Sequence, residues 1–337
     1  MSKSYRVAIV GATGAVGRKF IECLEKRRFP ASALTMYASP NSVGKVQHYG
    51  GKPHRIVGLS PESVEPFDFA FFSAGSSISR EYGPLFAAKG AVVVDNSSAW
   101  RMDPGTPLVV PEVNPKDAAR HKGIIANPNC STIQLVVALK PLHDAARIKR
   151  VVVSTYQAVS GAGGRALAEF DEEVRSDFLK DGLSKRTLFP RPIAFNCIPQ
   201  VPQKDAYLPT GYTIEENKMV EETKKIMGDP NIKVAATCVR VPVRNCHSES
   251  VNIETERKLT PHEAVEVLKK APGVTVAETP EAFPTPLETS GRDETFVGRV
   301  REDPSVANGL HLWIVADNLL KGAALNAVQI AELLIPK

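Results

Sequence analysis

Apolar and polar positions follow two different patterns along this chain of 337 residues. In the first third, short apolar runs are separated by helical or loop segments, and these runs lie at 5–10, 34–38, 68–72, 91–94, 108–110 and 124–126. The segment 17–28 places Phe20, Ile21 and Leu24 on one side of a helix. Strands that alternate with helices predict a largely parallel sheet, covered on both faces, over about residues 1–130.

The pattern changes after residue 130. Residues 151–158 are rich in β-formers, and 238–256 contain the alternating segment VNIETE. Segments 215–228 and 261–271 have the spacing of amphipathic helices, the second with a cap signal at Thr260-Pro261. The proline-rich tract 186–211 predicts an extended connection or an interface.

We therefore predict the α/β fold class, with a Rossmann-type dinucleotide-binding domain and a second, mixed α/β domain. The first domain covers 1–130 and the second covers 131–311. A strand and a helix near the C-terminus are expected to return to the first domain, which then also includes 312–337.

Composition and charge exclude few functions. The net charge of +5 is scattered, without the basic block that binds nucleic acid or a membrane surface. We see no signal peptide before the first strand and no apolar run of membrane-spanning length. The five cysteines form neither an even set nor a metal-ligand pattern. We expect free thiols, no metal site and a cytoplasmic protein that acts on a small molecule.

A glycine-rich turn joins the first strand to the first helix. Gly11, Gly14 and Gly17 have the spacing of the dinucleotide-binding fingerprint in the context that it requires. Glycine lets the backbone approach a pyrophosphate, whose charge is favoured at the helix N-terminus. The turn predicts a dinucleotide cofactor, and a plain tight turn is the alternative.

The residues at the end of the second strand indicate which dinucleotide binds. NAD-specific sites usually have a carboxylate about twenty residues after the glycine turn, where it binds the ribose diol. Here Ser39, Asn41 and Ser42 follow the strand, with Lys45 close by. Hydroxyl, amide and lysine groups can hydrogen-bond a 2′-phosphate that a carboxylate would repel, so NADP(H) is favoured over NAD(H).

Cys130 lies where the segment NPNCST enters an apolar helix. The backbone N–H groups and the helix dipole at such a point stabilise a thiolate and can bind an oxyanion, which suits acyl transfer. A small buried thiol is the alternative, and it is the expected state of Cys23, Cys197 and Cys238.

Three further side chains are candidates for the same chemistry. His247 heads a strand-like stretch and could be the base near the thiol, with a structural histidine as the alternative. The planar guanidinium of Arg240 could bind a carboxylate through two parallel hydrogen bonds. Arg240 and His247 are an odd number of positions apart, so in a regular strand their side chains would point to opposite faces. Both can face one pocket only if the strand bends near Pro242. Gln157 ends a strand before a glycine loop and could orient an acyl group.

Several segments together resemble the aspartate-β-semialdehyde dehydrogenase family: GATGAVG, NPNCST, YQAVSGAGG, CVRVPV with RNCHSES, and DNLLKGAALNAVQ. They occur in the family's order over essentially the whole chain. The resemblance implies NADPH-dependent reduction of L-aspartyl-4-phosphate to L-aspartate 4-semialdehyde and phosphate through a cysteine thioester. This reaction is the branch point toward lysine (through diaminopimelate), threonine, methionine and isoleucine. A homodimer or a tetramer is implied, built on the second domain, which would be both catalytic and dimerising.

The resemblance also implies a role for each matched residue. Catalysis would use Cys130 as the thioester nucleophile, His247 as the acid/base and Gln157 to orient the acyl intermediate. The substrate would be bound by Arg240 at its α-carboxylate, by Glu215 at its amino group, and at its phosphate by Lys218, Arg101 and Asn129. With the glycine turn and the loop after the second strand, the predicted cofactor contacts are Gly11, Thr13, Gly14, Ala15, Val16, Ser39, Asn41, Ser42, Ser160, Gly161 and Asn318.

One position departs from the family pattern. Many relatives carry an arginine in the loop after the second strand, where it clamps the 2′-phosphate, and here the aligned residue is Asn41. Use of both NAD and NADP therefore stays open.

Other functions are alternatives to this prediction. N-acetyl-glutamyl-phosphate reductase shares the architecture, but NPNCST followed by QAVSGAGG is not expected in it. Glyceraldehyde-3-phosphate dehydrogenase uses a similar cysteine but usually has an acidic residue after the second strand. A catalytically silent paralogue has no reason to keep Cys130, Gln157, Arg240 and His247 together, and the nucleotide fingerprint counts against a thiol hydrolase.

Overall fold

A computed structural model describes residues 4–180, 182 and 187–336. The chain divides into two compact units, of which one runs to Asn129 and resumes at Ala323, while the other spans Cys130–Gly322. In the described residues the strands are β1 (Tyr5–Val10), β2 (Ala31–Ala38), β3 (Val46–Tyr49), β4 (Lys52–Arg55), β5 (Val57–Gly58), β6 (Phe69–Phe72), β7 (Val92–Asp95), β8 (Ile124–Ala126), β9 (Ile148–Gln157), β10 (Lys233–Arg240), β11 (His247–Thr255), β12 (Val274–Val276), β13 (Thr295–Asp303) and β14 (Gly309–Ala316). The helices are α1 (Ala15–Lys26), α2 (Ser76–Ala88), α3 (Cys130–Ala146), α4 (Gly164–Leu179), α5 (Ile214–Met227), α6 (Pro261–Lys269), α7 (Pro286–Thr289) and α8 (Leu325–Glu332).

The first unit is built on a parallel sheet with the strand order β5-β2-β1-β6-β7-β8. Helices α1 and α2 connect neighbouring strands, and α8 packs against α1 and β7. Aromatic side chains fill the core, with Phe20 of α1 lying 5.2 Å from Phe71 of β6 between ring centroids. The predicted Rossmann-type parallel sheet is confirmed. The apolar run at 108–110 is not a strand, because it contributes only an isolated bridge between Leu108 and Ala126.

The turn between β1 and α1 requires glycine at two positions. Gly11 has a φ of +91°, and a Cβ on it would lie 2.3 Å from the carbonyl oxygen of Ser73. A Cβ on Gly17 would lie 2.1 Å from the carbonyl oxygen of Gly11. Gly14 stands at the N-cap of α1, and the first turn of this helix carries no acidic residue. The turn therefore offers backbone groups and a positive helix end, which is what an anionic pyrophosphate needs.

The second unit is built on a mixed sheet with the strand order β10-β9-β11-β14-β13-β12. Strand β10 is parallel to β9 and β12 is parallel to β13, whereas the other pairs are antiparallel. Helix α3 packs against β9, β11, β13 and β14, and α5 packs against β10. Alternate strand residues such as Val151, Val153, Val251 and Ile253 are buried, in keeping with the period of two that a sheet imposes.

The predicted return of the chain to the first domain at residue 312 is wrong for 312–322. Strand β14 pairs with β11 and β13 in the second sheet, and only from Ala323 does the chain join the first unit. A short run of buried apolar residues has the same pattern in either sheet, so local sequence could not assign it. Cys130, which we placed at the end of the first domain, begins the second unit.

Arg240 and His247 do not lie on one bent strand. Strand β10 ends at Arg240, β11 begins at His247, and β9 lies between these two strands in the sheet. Each residue lies at the end of its strand that is nearest the connecting loop. The alternation of side chains along a single strand therefore does not keep Arg240 and His247 on opposite faces. The two side chains reach the same place from two different strands.

The proline-rich tract predicted as an extended connection begins at residue 186, which lies outside the described residues. From 187 to 211 the chain contains only isolated bridges and turns. Two carboxylates of α4 hold it, because Glu169 accepts hydrogen bonds from the backbone N–H groups of 187–189 and Glu173 accepts from those of 193 and 194.

We predict that Gly17→Ala lowers the free energy of unfolding by about 2 kcal/mol or more, because the new methyl group meets backbone atoms of the same turn. Gly14→Ala is the matched control, since its Cβ would lie 3.3 Å from the carbonyl oxygen of Gly11. Urea unfolding of the two variants gives the comparison. Equal losses in both would mean that close packing at Gly17 does not stabilise the turn.

Candidate active site

Cys130 and His247 form the central contact of the second unit. Cys130 is the first residue of α3, and its Sγ lies 3.2 Å from Nε2 of His247, the first residue of β11. The ring of His247 is fully buried, whereas Cys130 keeps partial exposure. Gly322 lies against the thiol, and a Cβ on it would stand 3.0 Å from Cβ of Cys130. A nucleophile at a helix start is thus held against an imidazole, as the sequence predicts.

The hydrogen bonds of His247 define which ring nitrogen carries the proton. The backbone N–H of Ala158 donates to Nδ1 at 3.0 Å. A backbone N–H can only donate, so Nδ1 presents its lone pair and the proton of the neutral ring resides on Nε2. Burial, followed by the nearby Arg240 guanidinium, lowers the pKa of His247 to about 3, with Glu215 opposing the change. At neutral pH the ring therefore offers an Nε2–H donor to the Cys130 sulfur.

Arg240 and Gln157 stand side by side at the ends of parallel strands. They are partners in the register of β10 and β9, and both are buried. Nη1 of Arg240 donates to the carbonyl oxygen of Ala158 at 2.6 Å, while its Nε has no partner in the described chain. Burial lowers the pKa of Arg240, and the charge of Glu215 opposes this effect. A buried guanidinium with an unused N–H can bind a carboxylate.

Glu215 and Lys218 complete this group from the N-terminal part of α5. The amide of Gln157 donates to Oε1 of Glu215 at 3.4 Å, and Nζ of Lys218 lies 3.3 Å from Oε2. Glu215 is buried, which is rare for a carboxylate and is made tolerable by these positively polarised partners. The six catalytic and substrate-binding residues predicted within this unit therefore form one continuous cluster.

Gly161 lies at the point where Arg240 and His247 converge. A Cβ on this residue would stand 3.0 Å from Nη1 of Arg240 and 3.1 Å from the His247 ring. We predicted Gly161 as a cofactor contact, and the structure adds that glycine here leaves room for the two buried side chains. Its neighbour Ser160 is hydrogen-bonded to Asn318, with Nδ2 of Asn318 donating to Oγ at 3.0 Å.

Sequence reasoning missed several residues that hold these predicted ones in place. Asn245 accepts from the hydroxyl of Ser160 and donates to Asp317 at 2.7 Å. Gln134 lies one helical turn after Cys130 and donates to the backbone carbonyl of His247 at 3.3 Å. The spacing of four residues from Cys130 was a usable signal for Gln134, because such residues share a helix face. No local signal identified Asn245.

The remaining predicted residues lie in the first unit. Ser42 is buried and its Oγ accepts from the Thr13 hydroxyl at 3.4 Å, whereas Ser39 and Asn41 are exposed. The loop after β2 is thus tied to the glycine turn. A further link, which the sequence did not suggest, runs from Nε2 of Gln47 to the carbonyl oxygen of Ala12 at 2.9 Å.

Arg101 and Asn129 are buried in the same unit. Nε of Arg101 donates to the carbonyl oxygen of Asn127 at 3.0 Å, and Nη2 donates to that of Asn96 at 3.0 Å. Asn127 in turn accepts from Nδ2 of Asn326 on α8. These bonds fix the guanidinium of Arg101 in one orientation.

Residues 4–180, 182 and 187–336 contain no group of three or more His, Cys, Asp or Glu side chains placed to hold a metal ion. Over the same residues, no helix combines the length and the apolar character needed to cross a bilayer.

We predict that Gly161→Ala lowers kcat on the order of tenfold to a hundredfold, because a methyl group there pushes the His247 ring away from Cys130. Gly164→Ala is the matched control, since a Cβ at that helix start meets no atom within 4 Å. Steady-state rates of the two variants, at equal folded fraction by circular dichroism, test this. A wild-type rate in Gly161→Ala would contradict the prediction.

Known proteins resemble this chain in sequence and in fold. Residues 6–121 match the family model of the semialdehyde dehydrogenase NAD-binding domain, and residues 139–321 match that of the semialdehyde dehydrogenase dimerisation domain. The aspartate-semialdehyde dehydrogenase of Aquifex aeolicus is 57% identical over 336 residues, which cover 98% of each chain. Aspartate semialdehyde dehydrogenase II from Vibrio cholerae, solved in complex with ASA, has a TM-score of 0.93 at 45% identity over 99% of both chains. The Candida albicans enzyme, solved with NADP, has a TM-score of 0.73 at 25% identity over 98% of both chains. The chain therefore belongs to the aspartate-semialdehyde dehydrogenase family.

Proposed function

We propose that this chain reduces L-aspartyl-4-phosphate to L-aspartate 4-semialdehyde and phosphate with NADPH, through a thioester on Cys130. The observation that carries the proposal is the 3.2 Å contact between Sγ of Cys130, at the start of α3, and a neutral His247 ring. The product serves lysine (through diaminopimelate), threonine, methionine and isoleucine biosynthesis. A cytoplasmic location is part of the proposal, supported by five cysteines that all lie in the described chain and form no disulfide.

Cys130 acts as the nucleophile in the first half of the reaction. Its thiolate forms a C–S bond with the acyl carbon, and the bond from that carbon to the phosphate oxygen breaks. Backbone N–H groups at the start of α3 stabilise the oxyanion. Because the Nε2–H of His247 already points at the sulfur, this ring stabilises the thiolate by hydrogen bonding and does not need to remove the thiol proton.

The second half of the reaction returns Cys130 to its starting thiolate state. NADPH, when bound, supplies the hydride that reduces the thioester carbon. As the carbonyl re-forms, the C–S bond breaks and its electron pair returns to the sulfur, which leaves as a thiolate that the Nε2–H of His247 stabilises by hydrogen bonding. The proton consumed overall ends on the released phosphate. In this proposal His247 thus acts on the acid side of its predicted role, as a donor that stabilises the anionic sulfur and keeps its own proton.

The other buried groups bind the substrate. The unused Nε–H of Arg240 supports binding of the α-carboxylate as a fork, and Glu215 would accept from the amino group. Gln157 is held by Glu215 and by Thr155, which orients its amide toward the acyl group. Lys218, Arg101 and Asn129 would bind the phosphate.

We propose NADP(H) as the cofactor. The glycine turn supports binding of a pyrophosphate, because added Cβ atoms on Gly11 and Gly17 would collide with backbone atoms, so this tight turn at the start of α1 depends on glycine. Exposed Ser39 and Asn41, together with Ser42, provide hydroxyl and amide groups without a carboxylate, which supports binding of a 2′-phosphate. The remaining proposed contacts are Thr13, Gly14, Ala15, Val16, Ser160, Gly161 and Asn318.

We also propose that the second unit forms a homodimer. The match to a dimerisation-domain model supports this. On the sheet face opposite α3, Tyr156 remains 39% exposed beside Trp313, with 5.5 Å between ring centroids. Exposed aromatic side chains on a sheet are typical of surfaces that another chain covers.

The reaction is tested by following nicotinamide absorbance with aspartate semialdehyde, NADP+ and phosphate. Cys130→Ala should lower the rate by on the order of 10³-fold or more, because the thioester cannot form. Cofactor binding, measured by fluorescence, should stay unchanged. Cys197, which we expected to be buried, is exposed, and Cys197→Ala is therefore the control. Turnover by Cys130→Ala, or turnover that does not require phosphate, would disprove the proposal.

The cofactor preference is tested separately with NADP+ and NAD+ in parallel. We expect a higher kcat/KM with NADP+, and Asn41→Arg should raise it about tenfold further, since a charge-assisted hydrogen bond contributes about 1.5 kcal/mol. Asn41→Gln keeps an amide and serves as the control. Equal use of the two cofactors by the wild-type protein would refute the preference and leave the reaction intact.

A further inference from the structure

Glu249 is buried in the second unit and has no role in the reaction described above. It follows His247 by two residues on β11, so both side chains point to the face of the sheet that α3 covers. The residue is fully buried, and neither carboxyl oxygen has a hydrogen-bond partner in the described chain. An ionised carboxylate in such a place is strongly disfavoured.

Within the described part of the chain, no positive charge acts on the pKa of Glu249. Thr155 of β9 and Ile314 of β14 lie beside it in the sheet register. The titratable groups near it are Cys238 on β10, whose pKa burial raises, and the neutral His247 on its own strand. Burial raises the pKa of Glu249 well above its ordinary value, and the side chain of Gln134 opposes this only in part. The environment selects the protonated acid.

The side chain of Gln134 has an acceptor that needs a hydrogen-bond donor. Its Nε2 donates to the backbone carbonyl of His247, while its Oε1 has no donor in the described chain. The Gln134 side chain is close enough to Glu249 to affect its pKa. An ionised Glu249 could not satisfy Oε1, because a carboxylate only accepts hydrogen bonds. A protonated Glu249 supplies the missing donor, because a carboxylic acid carries one O–H group.

We propose that Glu249 is a neutral carboxylic acid whose O–H group donates to Oε1 of Gln134 and thereby positions His247 against Cys130. The link runs from Glu249 through the amide of Gln134 to the His247 backbone. Gln134 and Cys130 lie one turn apart on α3, so the same link fixes the helix that carries the thiol relative to the strand that carries the imidazole. Glu249 is a positioning residue, and its effect on turnover rests on the proposed function.

Two substitutions separate the roles of the donor and of the side-chain volume. Glu249→Gln keeps an N–H donor for Gln134 and should keep the wild-type kcat and pH profile. Glu249→Met has similar volume but no donor, and should lower kcat on the order of tenfold to a hundredfold with little change in KM. Glu254→Gln is the matched control, because Glu254 lies on the same strand with its side chain on the opposite face.

A second readout does not depend on the reaction. In a Cys197→Ser background, which removes the exposed thiol, the rate of Cys130 alkylation by iodoacetamide is measured against pH. Glu249→Met should shift the midpoint of this profile and Glu249→Gln should not. An unshifted profile in Glu249→Met would overturn the positioning role. Absence of turnover in the wild-type protein would instead count against the proposed function and leave this test valid.

The protonation state is tested by urea unfolding between about pH 5 and pH 9 at fixed protein concentration. A folded-state pKa above the ordinary value of 4.5 gives a stabilisation that is full below that value and is lost as the pH rises through the folded-state pKa. Wild type should therefore lose stability relative to Glu249→Gln as the pH rises. A wild-type protein that gains stability relative to Glu249→Gln over this range would show an ionised Glu249 and overturn the proposal.

Discussion

The hydrogen bond from the Ala158 N–H to Nδ1 of His247 is the constraint on which the rest of the site depends. It fixes the ring orientation and assigns the proton to Nε2, so the group that faces Cys130 is a donor. The carbonyl of the same residue, Ala158, accepts from Arg240. One peptide segment after β9 therefore orients both the imidazole and the guanidinium.

This arrangement explains why the site needs so many buried polar groups. A neutral histidine and an unprotonated Nδ1 require that no second proton reaches the ring, and the low pKa caused by burial and by Arg240 maintains this state. Arg240 itself requires the nearby charge of Glu215, and Glu215 requires Gln157 and Lys218. Each buried charge in this series is stabilised by a neighbouring charged or polar side chain. The substrate-binding groups and the Cys130–His247 pair are therefore electrostatically coupled.

The sequence predicted the parts of this structure that depend on local patterns. The glycine turn, the start of α3 at Cys130 and the cap of α6 at Thr260 each follow from residues close together in the chain, and Thr260 indeed forms a capping box with Glu263. The positioning of Gln134 against His247 could not be predicted, because the two residues are 113 positions apart and meet only through the packing of α3 on the sheet.

The sheet to which a strand belongs was also not predictable from its own residues. The sequence of β14 predicts a buried strand but does not indicate its partners. Its position in the second sheet is determined by pairing with β11 and β13. Similarly, β10 and β11 read as one interrupted strand because the sequence does not reveal that β9 lies between them. Long-range pairing is a property of the whole sheet and leaves little trace in any single segment.

The exposure of the loop after β2 has an evolutionary consequence. Ser39 and Asn41 are exposed, so substitutions there leave the core of the first unit intact and alter stability little. Around His247 in the second unit, Arg240, Gln157 and Glu215 are buried, and a change at one alters the electrostatics of the others. Selection can therefore adjust which nicotinamide cofactor is used through single surface replacements, while the thiol chemistry can change only through several coordinated ones.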